Sequence, residues 1–142
     1  LTVRITVVTN SFAVADRLRQ SECAQVFLPG GRLEPESMLI QDPTGRDFYQ
    51  DYAANYAFLG AEGIDEGGLT NTDMEIVHNQ RRMMAQAKQV VVLADSSKFA
   101  AVGHLRTCGF DRIDVLVTNE KPPEAIGHAL ETHGVEVVVV LS

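Results

Sequence analysis

Four short clusters of polar residues and glycines each follow an apolar stretch of this chain. They are Asn10-Ser11 after residues 3–9, Gly30-Gly31 after residues 24–28, the glycine-rich run containing Gly60, Glu62 and Asp65 after residues 56–59, and Asp95-Ser96-Ser97-Lys98 after residues 90–94. Amides, hydroxyls, carboxylates and ammonium groups recognise hydroxyls and phosphates by hydrogen bonding. Their repeated position after apolar stretches indicates a binding site for a small polar ligand.

The Asp95-Ser96-Ser97-Lys98 cluster is the sharpest of these signals. Lys98 places a positive charge near the predicted start of a helix, which suits a phosphate. Asp95 either orients Lys98 or accepts a hydroxyl. The alternative interpretation is an ordinary helix cap followed by an exposed lysine.

The clusters of the first third of the chain have equally simple alternatives. Asn10 and Ser11 offer an amide, a hydroxyl and a helix N-terminus, which suits phosphate or hydroxyl recognition, but the same residues form ordinary N-caps. Gly30 and Gly31 either let the backbone approach a ligand or form a tight turn.

The carboxylates of the central region are candidates for accepting hydroxyls. Glu62 and Asp65 stand in the glycine-rich run, whose backbone N–H groups can also surround an anion; the alternative is a solvated loop. Glu75 lies on the helix that follows and can border the same pocket, unless it is simply an exposed helical residue. The sequence has no GxSxG motif, Walker A loop or GxGxxG fingerprint.

Predicted strands and helices alternate along the chain, which favours an α/β fold with a mainly parallel sheet flanked by helices. Ligands of such folds bind outside the carboxyl ends of the strands, so the clusters are expected to converge there. Less regular stretches predict a helix over residues 47–54, a functional loop over residues 60–72 and a helix over residues 98–105.

Length and composition restrict the function further. A chain of 142 residues with 45% hydrophobic and 22% charged residues predicts a single domain, residues 1–142, with a packed core. The net charge of −7 argues against nucleic-acid binding by this chain. Two cysteines and the absence of a membrane-length apolar run predict a cytoplasmic protein, and no residue spacing predicts a metal site or a cofactor.

In this order, the clusters and their neighbouring strands resemble the C-terminal sensor domain of DeoR-family bacterial transcriptional regulators. The matching stretches are ITVVTNS (5–11), VFLPGG (26–31), YAFLGAEGID (56–65), GLTNTDME (68–75), VVVLADSSKF (90–99) and IDVLVTN (113–119). The resemblance covers nearly the whole chain.

This resemblance implies a Rossmann-like fold related to ribose-5-phosphate isomerase, and a domain that binds a phosphorylated sugar. It also implies an N-terminal winged helix-turn-helix that holds operator DNA, self-association, and a role, often as a repressor, in sugar catabolism. We therefore expect that module, a first strand and a phosphate-binding loop to precede Leu1. In this interpretation Lys98 neutralises the phosphate.

Two other classes of function compete with a sensor. An isomerase-like enzyme is suggested because Lys98, Glu62 and Glu75 resemble acid and lysine positions of the isomerase pocket. Leu59 stands where the isomerase carries an aspartate, which predicts binding without turnover and hence no enzyme activity. The remaining alternative is a scaffold that only oligomerises.

Overall fold

The computed structural model describes residues 2–141 and contains two compact units, Leu1–Tyr49 and Gln50–Ser142. The elements of the first unit are β1 (Ile5–Val8), α1 (Phe12–Leu18), β2 (Ala24–Phe27), β3 (Arg32–Leu33) and β4 (Ile40–Gln41). β1 and β2 pair in parallel, whereas β3 and β4 form a short antiparallel pair. The predicted strand–helix–strand order of this region is confirmed.

The elements of the second unit alternate between strands and helices. They are β5 (Ala54–Leu59), β6 (Gly63–Asp65), β7 (Gly68–Asn71), α2 (Met74–Ala85), β8 (Ala87–Leu93), a 3₁₀ helix (Ser96–Phe99), β9 (Leu105–Cys108), a second 3₁₀ helix (Phe110–Arg112), β10 (Val115–Thr118), α3 (Glu124–Thr132) and β11 (Glu136–Val139).

A four-stranded parallel sheet in the order β11-β10-β8-β5 forms the centre of the second unit. Apolar side chains of β5, β8 and β10 are buried together with side chains from α2 and α3, among them Leu59, Val92, Met84, Leu116 and Leu130. The expectation of a mainly parallel sheet flanked by helices is therefore confirmed.

The predicted functional loop over residues 60–72 is wrong in part, because most of it is a β-hairpin. β6 and β7 pair antiparallel, and β7 also pairs antiparallel with β9. Gly63 is required by this packing: an added Cβ would lie 2.1 Å from the carbonyl oxygen of Ala101. The glycines of this region therefore permit close strand packing as well as turns.

Two predicted helices are also absent. Over residues 98–105, the helical turn ends at Phe99 and β9 begins at Leu105, because the Gly103 N–H donates to the buried Thr70 hydroxyl over 2.9 Å. Residues 48–51 form turns, and the Tyr49 N–H donates to the Asp47 carboxylate over 2.9 Å.

The longest helix within residues 2–141 has 12 residues, and no helix in this range combines the length and apolarity that a membrane crossing requires.

Candidate functional site

The carboxyl ends of three parallel strands carry the candidate residues of the second unit. β5 leads into Gly60, β8 leads into Asp95, and β10 leads into Asn119. The Ser96 N–H donates to the Asn119 side-chain oxygen over 2.7 Å, which joins the ends of β8 and β10. This edge of the sheet is the expected place for a ligand in a parallel α/β fold.

Two of the predicted clusters lie side by side at this edge. The 3₁₀ helix Ser96–Phe99, which carries Ser96, Ser97 and Lys98, contacts β6. β6 follows Gly60 and Glu62 directly and ends at Asp65. The fold thus brings residues 60–65 and 95–98 together, although 30 positions separate Asp65 from Asp95 in the sequence.

The segment from Gly60 to Glu62 is tethered at both ends. The Gln80 side-chain N–H donates to the Gly60 carbonyl over 2.9 Å, and the Glu62 N–H donates to the Thr70 carbonyl over 3.2 Å. The Thr72 hydroxyl donates to the Oε2 atom of Glu62 over 2.5 Å. Glu62 is exposed, and this bond uses one of its two carboxylate oxygens.

Asp95 acts as the cap of the 3₁₀ helix. One of its carboxylate oxygens accepts from the Ser97 N–H over 2.8 Å and also from the Ser97 hydroxyl. These bonds, the hydroxyl first, lower the pKa of Asp95 below its usual value, with a smaller contribution from the charge of Lys98. Asp95 therefore remains an anion that holds the turn in which Lys98 stands.

Lys98 is half-buried and forms no ion pair or hydrogen bond through its ammonium group with any described residue. The only interaction between Asp95 and the Lys98 ammonium is the attraction of their charges, without a direct contact. A positive charge without a direct partner, next to a polar loop, is chemically suited to an anionic ligand.

Asp65 is engaged within the fold. Its carboxylate accepts two hydrogen bonds from the Arg106 guanidinium, at 2.6 and 3.2 Å, and a third from the Gly67 N–H at 2.8 Å. The bond from Arg106 is the main reason why the pKa of Asp65 lies below its usual value. This ion pair joins the hairpin to β9, which leaves Asp65 little capacity for a ligand.

Glu75 stands in the first turn of α2, which Asp73 caps by accepting from the Glu75 N–H over 2.9 Å. The Glu75 carboxylate is exposed and has no bonded partner among the described residues. Leu59, which replaces the isomerase aspartate, is 2% exposed and belongs to the core. This position supplies no functional group to the strand ends.

The candidates of the first unit have local roles there. The Ser11 hydroxyl caps α1 by accepting from the Val14 N–H over 3.2 Å, and the Asn10 carbonyl accepts from the Ile40 N–H over 2.8 Å. Gly30 is exposed. An added Cβ at Gly31, whose φ is 150°, would lie 2.2 Å from the Gln41 carbonyl oxygen. A ligand role for these four residues stays a prediction.

Sequence reasoning missed the residues that hold the site in place. Asn119 directly follows β10, whose sequence is rich in β-branched residues, so the rule that selected Asp95 could have selected it too. Gln80 lies outside the matching stretches, 20 positions from Gly60. Thr72 lies inside the matching stretch 68–75, but nothing in that stretch points to its contact with Glu62. The described residues contain no group of three or more His, Cys, Asp or Glu side chains able to hold a metal ion.

The parallel sheet, with the polar loops and lysine at its carboxyl edge, is the architecture of an α/β domain with a candidate ligand site. Residues 1–120 match the family described as "DeoR C terminal sensor domain". The chain therefore belongs to this family of effector-sensing domains of transcriptional regulators, which confirms the resemblance seen in the sequence.

Particular relatives agree with this assignment. The chain is 35% identical over 137 residues to the HTH-type transcriptional repressor GlcR of Bacillus subtilis (strain 168), covering 96% of the chain and 53% of the relative. It is 28% identical to the HTH-type transcriptional repressor CsqR of Escherichia coli (strain K12), covering 94% of the chain and 51% of the relative. It is 27% identical to the glycerol-3-phosphate regulon repressor of the same organism, covering 92% of the chain and 52% of the relative.

The chain thus spans about half the length of the curated relatives that it matches. The matched family and these relatives are regulators of transcription rather than enzymes.

Proposed function

We propose that this domain senses a phosphorylated sugar and thereby controls a DNA-binding module in a longer regulator. The observation that carries the proposal is the Lys98 ammonium, which has no direct partner and stands on a helix in contact with β6. An unpaired cation beside polar loops attracts a phosphate more strongly than it attracts an uncharged sugar.

The surrounding residues complement this charge. Glu62 has one carboxylate oxygen that is not used by Thr72, and it accepts a sugar hydroxyl. Asp95 holds the turn that carries Lys98, so it acts on the ligand through Lys98. Ser96 and Ser97 supply short polar groups in the same turn, and Glu75 borders the site from α2.

The names of the relatives support the regulatory half of the proposal. GlcR and CsqR are both named HTH-type transcriptional repressors, and a third relative is named for a glycerol-3-phosphate regulon. We therefore propose repression of a carbohydrate operon, with operator DNA bound outside this acidic chain. The effector acts by binding one arrangement of the regulator more tightly than the other.

A thermal-shift titration tests the proposal. It uses an extrinsic dye because the chain contains no tryptophan. At a ligand concentration of about 100 times Kd, binding stabilises the folded state by about 2.7 kcal/mol. This corresponds to a rise in melting temperature of about 5–10 °C for a domain of this size. One sugar phosphate is expected to produce the shift, and its unphosphorylated sugar is not.

Lys98→Ala is expected to weaken sugar-phosphate binding about 10- to 100-fold, as removal of a charge-assisted hydrogen bond does. Lys88→Ala is the matched control, because Lys88 is exposed near the opposite, amino end of β8. Equal affinity of wild type and Lys98→Ala would refute the role of Lys98. If no member of a sugar-phosphate panel binds the chain or the full-length regulator, the sensing proposal itself is refuted.

We also propose that the regulator forms homo-oligomers, as the family resemblance implies. Sedimentation velocity over a range of concentrations tests this directly. A single monomeric species at all concentrations, with and without the effector, would contradict it.

A further inference from the structure

Gln80 connects helix α2 to the start of the candidate binding loop. Its side-chain Nε2 donates to the Gly60 carbonyl over 2.9 Å, and its Oε1 accepts from the side chain of Asn71 over 3.2 Å. Asn71 is only 4% exposed, and its Nδ2 also donates to the Thr107 hydroxyl over 2.7 Å. A continuous chain of polar contacts therefore runs from β9 to the loop.

The direction of every bond in this chain follows from one backbone group. The Gly60 carbonyl only accepts, so the Gln80 amide must present its N–H₂ group to it. The Gln80 oxygen then faces Asn71, which must present its own N–H₂ group in turn. The Thr107 hydroxyl accepts from the same nitrogen.

Glutamine is the side chain that fits both ends of this arrangement. Glutamate would present an anionic oxygen to the Gly60 carbonyl, and lysine would present a donor to the Asn71 donor. Methionine has a similar length but makes neither bond. A side chain at this position must therefore carry both a hydrogen-bond donor and an acceptor, and a side chain of the right size alone is not enough.

Gly60 itself does not fix the loop. An added Cβ there would meet nothing within 4 Å, and glycine permits more backbone conformations than any other residue. An external tether at this point limits the conformations that a ligand would otherwise have to select. Preformed loops bind more tightly because less conformational entropy is lost on binding.

We propose that Gln80 is a positioning residue for the effector site: it holds the Gly60 carbonyl, and with it residues 60–62, in the conformation that binds ligand. This inference rests on the proposed sensing function for its effect on affinity. The order of the loop without ligand is independent of that function, so the two can fail separately.

The test compares Gln80→Met and Gln80→Glu with wild type, and uses Gln89→Met as the matched control on an exposed residue of β8. Hydrogen–deuterium exchange measures the amide of Glu62, which donates to Thr70. Isothermal titration calorimetry measures Kd for the sugar phosphate that binds wild type.

Both Gln80 variants are expected to speed exchange at Glu62 and to weaken binding about tenfold, the effect of one lost hydrogen bond. Exchange at Glu62 should rise by a larger factor than exchange in the central strands β8 and β10, which separates loosening of the loop from general destabilisation. Gln89→Met should leave both measurements at their wild-type values.

Unchanged exchange at Glu62 in Gln80→Met would overturn the proposal. Faster exchange spread equally over β8 and β10 would also overturn it, because it would show a purely structural role. Faster exchange at Glu62 with unchanged Kd would overturn the link to binding. Faster exchange at Glu62 alone, together with no binding of any sugar phosphate by wild type, supports the tether and refutes the proposed effector.

Discussion

Thr107 and Thr118 form a natural comparison for the energetics of buried hydroxyls in this fold. Both lie in strands of the second unit, and they are 2% and 4% exposed. The Thr107 hydroxyl accepts from Asn71 over 2.7 Å, whereas the Thr118 hydroxyl has no hydrogen-bond partner among the described residues. Valine has nearly the shape of threonine, so each Thr→Val substitution isolates the hydroxyl.

The two substitutions should change stability in opposite directions. A buried polar group without a partner costs about 1–3 kcal/mol, so Thr118→Val is expected to raise the free energy of unfolding by about 1 kcal/mol. Thr107→Val removes one buried hydrogen bond and leaves Asn71 with a single partner, Gln80. It is expected to lower the free energy of unfolding by about 1–2 kcal/mol.

Urea denaturation followed by circular dichroism measures both values. The denaturation midpoint should move without a change in slope, because the surface exposed on unfolding stays the same. In thermal melts the two variants should differ by about 4–12 °C. A loss of stability in Thr118→Val would refute the reasoning, because it would show that this hydroxyl is bonded. No change in Thr107→Val would show that the Asn71 contact contributes nothing.

Three further predictions concern the packing around the site. Asp65→Asn should lower the free energy of unfolding by about 1 kcal/mol at neutral pH. The Arg106 guanidinium lowers the pKa of Asp65, so the stabilisation is lost when Asp65 is protonated and the difference should shrink as pH falls below 3.8. A difference that does not depend on pH would contradict this. Gly63→Ala should lower the free energy of unfolding, measured in urea, by about 1–3 kcal/mol, because the added Cβ would overlap the Ala101 carbonyl. Gly60→Ala is the control and should change the free energy of unfolding by no more than about 0.5 kcal/mol. Burial raises the pKa of the Cys108 thiol to about 11, so peptide mapping should show slow iodoacetamide labelling of native Cys108 at pH 8 and fast labelling after unfolding.

The parallel strands could be predicted because their sequences carry the signal locally. β8 contains the run Val90-Val91-Val92, which is buried, and β10 and β11 are equally rich in β-branched residues. Continuous apolar runs of this length are typical of strands covered on both faces. The α2 and α3 crossovers agree with the parallel pairing of β5 with β8 and of β10 with β11.

The hairpin of β6 and β7 could not be predicted in the same way. All four residues of β7, Gly68–Asn71, are buried, so the alternation of apolar and polar residues that marks a half-buried strand is absent. Two of them are polar and are satisfied by distant partners, Thr70 by Gly103 and Asn71 by Thr107 and Gln80. A glycine-rich polar segment therefore looks like a loop until its tertiary partners are known.

The candidate site shows the same division between local and distant information. Asp95 and Lys98 could be selected because they directly follow a recognisable strand. Contacts with distant residues could not be selected in this way: the Ser96 N–H donates to the Asn119 side chain, and the Arg106 guanidinium pairs with Asp65. The sequence selected both Asp65 and Asp95 as sugar ligands. In the structure both carboxylates instead accept hydrogen bonds that hold neighbouring segments in place.

These contacts of Asp65 and Asp95 reduce the local negative charge that an anion meets at the strand ends, although the net charge of the chain is −7. At physiological salt the charge of a group is screened within about 8 Å, so distant carboxylates contribute little at the strand ends. Nearby, Arg106 offsets the charge of Asp65, and hydrogen bonds from Ser97 disperse the charge of Asp95. The exposed carboxylates of Glu62 and Glu75 oppose an anion in this region, so the Lys98 ammonium must supply the attraction for a phosphate. Binding should therefore weaken with salt in wild type but little in Lys98→Ala.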